Sequence, residues 1–324
     1  MNGVTDPNLW RQDTPGSAGW PRSPRAQAAN KYFMVSADCH AQEPNDFLSA
    51  RMEAKYQDRL PGIVLGAEFG AGDGRYQKTE GFRPIKLGTF TFEGEDLERN
   101  LSGTTPEERL AALDRDGVDC ELIYPNKGLT IWATPDLEFS QSMCRAWNDW
   151  AWETFGPHND RLAPVACIAA GDVDGGVAEI ERAAKRGFRA LALPCKPEWG
   201  PPDYEQRNYN LPEFDPLWAA ACDTGLPVTF HISTGRDPRT SRGRGGAVIN
   251  YVVHSLSQAM EPLVNLCASG VAERFPKLKF GTIEAGIGWV PWMLTAMDEG
   301  YHKHHMWVRP KLNNLPSDYF KANG

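Results

Sequence analysis

Short continuous apolar runs alternate along the chain with longer amphipathic stretches, a rhythm that predicts β-strands each followed by an α-helix. The first apolar run, Tyr32–Ala37, ends at Asp38-Cys39-His40. Thr105-Pro106-Glu107-Glu108 reads as a helix start with proline at the first helical position, and Gly117 closes that helix after Asp116. Strand Cys120–Tyr124, helix Leu137–Phe155 and strand Leu162–Ala169 follow. Helix Val173–Arg186 is closed by Gly187 and leads into strand Ala190–Pro194. Helix Phe214–Thr224 stops at Gly225, strand Pro227–Ile232 comes next, and a helix runs from about Ile249 to Ala268. Strand Lys277–Glu284 and helix Val290–His302 complete the series.

Strands that are apolar throughout are buried on both faces and belong to a parallel sheet. The pattern contains six strand–helix units. Eight close a barrel, whereas five or six suffice for an open doubly wound sheet. No Gly-x-Gly-x-x-Gly follows the first strand, so the dinucleotide fold loses support and an α/β barrel is the better reading. Residues 1–31 are polar and rich in proline, glycine and alanine, which suggests a flexible N-terminal arm before a barrel domain at 32–324. Within that domain, Ala41 to about Thr105 is irregular, with glycine-rich Gly66–Gly74 and a possible hairpin around Leu87–Phe92. A loop insertion of this length in a compact domain usually has a function, such as covering a pocket.

The 324 residues are enough for one α/β barrel. The net charge of −8, with no dense Lys/Arg run, argues against a nucleic-acid partner. Seven scattered cysteines without a Cys-x-x-Cys pair indicate free thiols and a reducing compartment. No apolar run approaches the roughly 18 residues of a membrane span, and the N-terminal segment has no signal-peptide core. These features point to a cytoplasmic protein with a small-molecule substrate.

Four polar groups stand at predicted strand ends: Asp38 and His40 on the first strand, His231 on the fifth and Glu284 on the sixth. Side chains two apart on a strand point the same way, so Asp38 and His40 can reach one point. Carboxylate and imidazole together are good ligands for Zn, Mn or Fe. Each residue alone has a plainer explanation: a turn for Asp-x-His, a buried packed ring for His231, an arginine-paired acid for Glu284. Their shared position at strand ends, where barrels place their active sites, favours chemistry. Elsewhere, His302, His304 and His305 read as surface residues, His158 as a turn residue and His254 as packing or support. Cys39 faces away from Asp38 and His40, and Trp147, Trp150 and Trp152 read as a buried helix face.

Several segments taken together carry a family resemblance. They are Ser36-Ala37-Asp38-Cys39-His40 followed by Glu43-Pro44, Asp114-Arg115-Asp116-Gly117-Val118-Asp119, Trp147-Asn148-Asp149-Trp150, and Asp160-Arg161-Leu162. Arg186-Gly187-Phe188-Arg189-Ala190, Pro227-Val228-Thr229-Phe230-His231, Glu284-Ala285-Gly286-Ile287-Gly288-Trp289 and Pro316-Ser317-Asp318-Tyr319-Phe320 extend the match across most of 32–319. The sequence resembles the amidohydrolase-related metal-dependent hydrolases, in the branch that includes aminocarboxymuconate-semialdehyde decarboxylase and aromatic-acid decarboxylases.

The resemblance implies a TIM-like (β/α)8 barrel holding one divalent metal, usually zinc, with manganese or iron as alternatives. Asp38, His40 and His231 would be its ligands, and the resemblance also allows a homodimer. The family's last ligand, an aspartate on the eighth strand, has no counterpart segment before Gly324, so the last one or two β/α units are expected to be missing. Such a gap would leave sheet edges open and apolar surface uncovered. The related decarboxylases carry a histidine on the sixth strand where this chain has Glu284. The expected activity is therefore metal-assisted hydrolysis of a small, carboxylate-bearing molecule, with Glu284 as general base or substrate anchor. Arg75, Arg83 and Trp289 are the expected substrate-binding residues, and the loop at 41–105 is the expected cover. The rival readings are non-oxidative decarboxylation of an aromatic or unsaturated acid, and an inactive incomplete barrel.

Overall fold

The computed structural model describes residues 19–25, 32–69, 74–81, 85–87, 93–95, 97, 103–200, 206–235, 241–303 and 310–324. Part of the expected arm lies against the body. Arg22 bridges to Tyr32, Trp20 packs edge-on against the Tyr32 ring, and Arg25 Nε lies 3.2 Å from Asp119 Oδ1.

Strand β1 is Val35–His40, so it continues through the Asp38-Cys39-His40 segment where the apolar run had suggested it would stop. The reason is pairing: Cys39 and His40 register with Ile123 and Tyr124 after a bulge that follows Ser36. The stretch expected to be irregular contains an antiparallel sheet of β2 (Gly62–Leu65), β3 (Arg75–Lys78) and β4 (Ile85–Leu87). These strands have three or four residues each, too short to show a period of two in sequence. Most of the expected Leu87–Phe92 hairpin lies outside the described residues.

Helix α1 (Pro106–Asp116) begins with a complete capping box, Thr105 accepting from Glu108 N and the Glu108 side chain accepting from Thr105 N. It leads into β5 (Cys120–Tyr124) and α2 (Leu137–Phe155), whose N-cap is Asp136. The third barrel strand is broken by Val165 into β6 (Leu162–Pro164), which pairs with β5, and β7 (Ala166–Cys167), which pairs with the next strand. Helix α3 (Val173–Arg186), strand β8 (Leu191–Pro194), helix α4 (Asp215–Thr224) and strand β9 (Val228–His231) follow as predicted. Glycines 117, 187 and 225 end α1, α3 and α4 in the left-handed region, where a side chain would be strained.

The helix after β9 begins earlier than expected and is not uniform. It runs as α5 (Gly246–Ile249), a π-helical segment at Asn250–Leu256, and α6 (Ser257–Ala268). After short α7 (Val271–Arg274) come β10 (Phe280–Ile283), α8 (Val290–Lys303) and α9 (Pro316–Asn323).

Among the described residues, the parallel strands form one wall in the order β1-β5-β6/β7-β8-β9-β10. This is the TIM-like α/β architecture expected from the sequence. Among the described residues, two large apolar clusters fill it, with a third, small one of Ile232, Ala259 and Ala285. One gathers around α2 and the first half of the wall, with Trp147, Phe139, Phe155 and Tyr124 fully buried. The other lies between the second half and α3, α4 and α6, with Trp218, Phe214, Tyr209 and Phe230 at its centre. Full burial of side chains of this size contributes roughly 1.5–3 kcal/mol each. Trp147 and Trp150 are buried as expected of a helix face, while Trp152 packs on Phe188 on the α3 side, ring centroids 5.0 Å apart. Val248, Tyr251, Val252, Val253, Ile287 and Trp292 expose apolar surface near the β9 and β10 connections.

Candidate metal centre

Asp38 and His40 leave the end of β1, His231 closes β9, and Glu284 follows β10 directly. The β9–β10 register places Ile283 opposite His231, so Glu284 begins its turn at the same level of the wall. One ligand atom from each of these four residues lies within 4.8 Å of the others. His40 Nε2 is 3.3 Å from His231 Nε2 and 3.4 Å from Asp38 Oδ1. His231 Nε2 is 3.4 Å from Glu284 Oε2 and 3.8 Å from Asp38 Oδ1. The structure thus brings together all four residues singled out from the strand ends.

The ring partners decide what the histidines can do. His40 Nδ1 lies 2.8 Å from the Pro125 carbonyl, and His231 Nδ1 lies 2.9 Å from the Ile232 carbonyl. A carbonyl only accepts, so both Nδ1 atoms carry the proton and, in the neutral rings, both Nε2 lone pairs point at one spot. Two lone pairs 3.3 Å apart repel unless a cation lies between them. Two nitrogens bound tetrahedrally to one zinc at 2.0–2.1 Å are themselves about 3.4 Å apart. The donor set of two imidazoles and two carboxylates therefore fits a single divalent metal in both chemistry and spacing.

Burial sets the electrostatics. His231 is almost fully buried, and desolvation pushes its pKa below the ordinary 6.5, with the neighbouring His40 adding to the depression. Glu284 is shifted upward, first by desolvation and then by the charge of Asp38, while His40 pulls it down. Beneath the four residues, Tyr124 OH donates to Thr229 Oγ1, which donates to the Leu191 carbonyl, tying β5, β9 and β8 together. The Tyr124 ring centroid lies 5.6 Å from that of His231 and forms the floor of the site. Among the described residues, two non-glycine residues adopt the left-handed region, Ser233 at φ 64° and Glu284 at φ 61°. Each costs on the order of 1–3 kcal/mol, and both follow ligand-bearing strands, where strained backbone tends to gather.

The histidine shift gives a stability prediction for the metal-free chain. Below pH 6.5 the unfolded chain protonates this imidazole while the folded one does not. Stability is therefore full above that value and falls as pH drops through the lower folded pKa. Acid unfolding followed by circular dichroism should show this component in the parent and not in His231→Asn. Equal pH slopes in the two proteins would contradict the desolvated, neutral ring.

The other candidate residues are placed differently. Arg75 is exposed on β3 in the small antiparallel sheet, and Arg83 lies outside the described residues. Trp289 is half-buried against Ile232, Ala259 and Ala285, and its indole N–H donates to the Ala285 carbonyl at 2.6 Å. Cys39 turns away from the cluster toward Ser36, and burial pushes its thiol up to about 11, as suits a packing residue. His254 lies on the π-helical segment with its Nε2 3.4 Å from Ser241 Oγ, His158 is half-buried and His302 exposed. His304 and His305 lie outside the described residues. The Pro125 and Ile232 carbonyls, which orient both rings, carry no side-chain signal that a sequence could reveal.

The amidohydrolase family profile matches residues 37–324. The chain belongs to the amidohydrolase family. A comparison with curated protein sequences gives no match. Among solved structures, the chain is similar to an amidohydrolase from Mycobacterium avium subsp. paratuberculosis, at 18% identity and a TM-score of 0.73, covering 90% of this chain and 82% of that one. It is similar to 5-carboxyvanillate decarboxylase from Sphingomonas paucimobilis, at 20% identity and a TM-score of 0.58, covering 90% and 79%. It is also similar to a dihydroxybenzoic acid decarboxylase from Polaromonas sp. JS666, solved with bound manganese, at 15% identity and a TM-score of 0.55, covering 90% and 76%. These likenesses agree with the amidohydrolase-type fold of the parallel wall. No helix among the described residues is long and apolar enough to cross a membrane.

Proposed function

We propose that this amidohydrolase-family chain is a metal-dependent hydrolase of a small, carboxylate-bearing organic molecule. The observation that carries the reading is Glu284, a carboxyl raised above its ordinary range with Oε2 3.4 Å from His231 Nε2. Asp38, His40 and His231 hold one divalent metal, zinc or manganese, with their three donors. When bound, that metal supplies Lewis-acid polarisation of the reacting oxygen. Glu284 accepts the proton of the attacking water and returns it to the leaving group, work that a raised carboxylate does better near neutral pH than an ordinary one. Arg75 and Arg83, carried by the loop insertion, anchor the substrate carboxylate, and Trp289 forms an apolar wall. Seven free cysteines support a cytoplasmic setting.

A second reading is non-oxidative decarboxylation of an aromatic acid. It is favoured by the likeness to the 5-carboxyvanillate and dihydroxybenzoic acid decarboxylases. Here protonated Glu284 would deliver its proton to the ring carbon as the carbon–carboxyl bond breaks and carbon dioxide leaves.

One experiment separates the readings. The metal-loaded chain is incubated in ¹⁸O-water with a panel of carboxylate-bearing amides, lactones and hydroxybenzoates. Product carrying ¹⁸O without carbon dioxide release supports hydrolysis. Carbon dioxide with a proton at the vacated carbon supports the lyase, and turnover of nothing supports an inactive barrel.

A further inference from the structure

Three residues after His40, a buried carboxylate is used in a way that the proposed function does not explain. Glu43 is 2% exposed. Its Oε1 accepts from the backbone N–H groups of Asn126 at 2.8 Å and Gly128 at 3.1 Å, and from Trp147 Nε1 at 3.1 Å. Its Oε2 accepts from Lys127 N at 3.0 Å. The Lys127 ammonium returns to the Glu43 carbonyl at 2.5 Å and to Asn45 Oδ1 at 3.0 Å. One carboxylate thus satisfies three successive N–H groups in the loop that follows β5, with a tryptophan N–H as a fourth donor. The seat is tight: a Cβ on Gly128 would lie 2.6 Å from Trp147 Cδ1 and 2.7 Å from Pro125 Cβ, so only glycine fits there.

The residue directly before this clamped triplet is Pro125, whose carbonyl accepts from His40 Nδ1 at 2.8 Å. We propose that Glu43 is a positioning residue that holds the Pro125 carbonyl in place, and through it keeps His40 in the Nδ1–H tautomer with Nε2 aimed at His231. The path is short: a hydrogen bond from Asn126 N to the Glu43 carboxylate, the peptide group that joins Asn126 to Pro125, and a hydrogen bond from His40 Nδ1 to the Pro125 carbonyl. From the opposite side, the buried Arg109 guanidinium donates to the His40 carbonyl at 2.9 Å and pairs with Glu121 at 2.5 Å. The His40 backbone is held by one buried ion and its ring by the loop that the other clamps. Partners that orient a ligand's far nitrogen typically change metal affinity 10–100-fold when lost.

The consequence for metal affinity rests on the proposed metal site, whereas the consequence for the ring does not. The test therefore reads both. Long-range ¹H–¹⁵N spectra of the metal-free, histidine-labelled chain give the His40 tautomer, with the peak assigned by its loss in His40→Asn. Titration with Mn²⁺ alone gives affinity. The parent should show the Nδ1–H tautomer. Glu43→Gln, which keeps the shape but replaces one accepting oxygen with a donor, should mix the tautomers and weaken Mn²⁺ binding 10–100-fold. Lys127→Met, which loosens the same loop without touching the carboxylate, should shift both readouts in the same direction by less, and it decides the matter if Glu43→Gln does not fold. Trp218→Phe, in the other core cluster, should lower the melting temperature and leave both readouts unchanged. The proposal is overturned if the parent ring is the Nε2–H tautomer, or if the folded loop variants melt lower with tautomer and affinity unaltered. A tautomer shift in a chain that takes up no Mn²⁺ upholds the positioning role and sinks the metal-site reading.

Discussion

Replacing Asp38 and His40 together by alanine should strip the metal from the purified chain and leave the fold in place. Structural zinc sites release about 10–16 kcal/mol on binding, so losing two of the three donors weakens affinity by about 10⁴-fold or more. Removing the two residues should cost the apo fold little. Their side chains are 36% and 29% exposed, and they pair with each other at 3.4 Å in a setting where ion pairs contribute about 0–1 kcal/mol. They also stand at the end of β1, whose backbone pairing to β5 does not depend on them. Mass spectrometry of metal content, run beside calorimetric melting without metal, checks both halves. The parent should hold close to one zinc or manganese, and the variant none, with apo melting curves nearly coincident. Metal retained by the variant would move the site elsewhere, and a metal-free parent after loading would refute the metal reading outright.

Local grammar made much of the wall legible in advance. β8 is a continuous apolar run, β5 and β9 are apolar apart from Glu121, Thr229 and His231, and α1, α3 and α4 end at glycines that adopt the left-handed conformation a helix stop requires. The capping box at Thr105 and Glu108 is visible from spacing alone. Asp38 and His40 were readable as a pair because a strand repeats every two residues, and the bulge after Ser36 leaves that pairing intact. What stayed hidden depends on distance in sequence or on backbone atoms. That His231 and Glu284 meet Asp38 at one point follows from the order of the whole wall, which no local window contains. Glu43 was noticeable only as part of a family-like motif, because its four donors lie 83 to 104 residues away. The antiparallel strands β2–β4 are too short for periodicity, and the π-helical turn at Asn250–Leu256 keeps the apolar look of an ordinary helix.

Glu284→Gln should keep the metal and abolish turnover, lowering kcat by about 10²–10⁴-fold, the usual contribution of a placed acid or base. Glutamine matches glutamate in shape but takes up no proton near neutral pH, so the acid limb of the parent's pH–rate profile should vanish in the variant. In the metal-free chain burial and Asp38 both raise this group. Metal content separates the two roles open to this side chain, since its Oε2 is as close to His231 Nε2 as Asp38 Oδ1 is to His40 Nε2. Zinc or manganese affinity within a few-fold of the parent keeps Glu284 as the proton carrier. A loss comparable to that of the Asp38→Ala/His40→Ala variant would make it a fourth ligand and overturn the acid–base role. Backbone conformation offers an independent check. Glu284 sits at φ 61°, where a side chain costs roughly 1–2 kcal/mol and glycine does not. Glu284→Gly should therefore be inactive yet melt at the same temperature or higher than the parent. A catalytic residue that destabilises its own fold is the signature of a strained position kept for chemistry. A Glu284→Gly chain that is both active and less stable would show that the left-handed turn serves the fold alone.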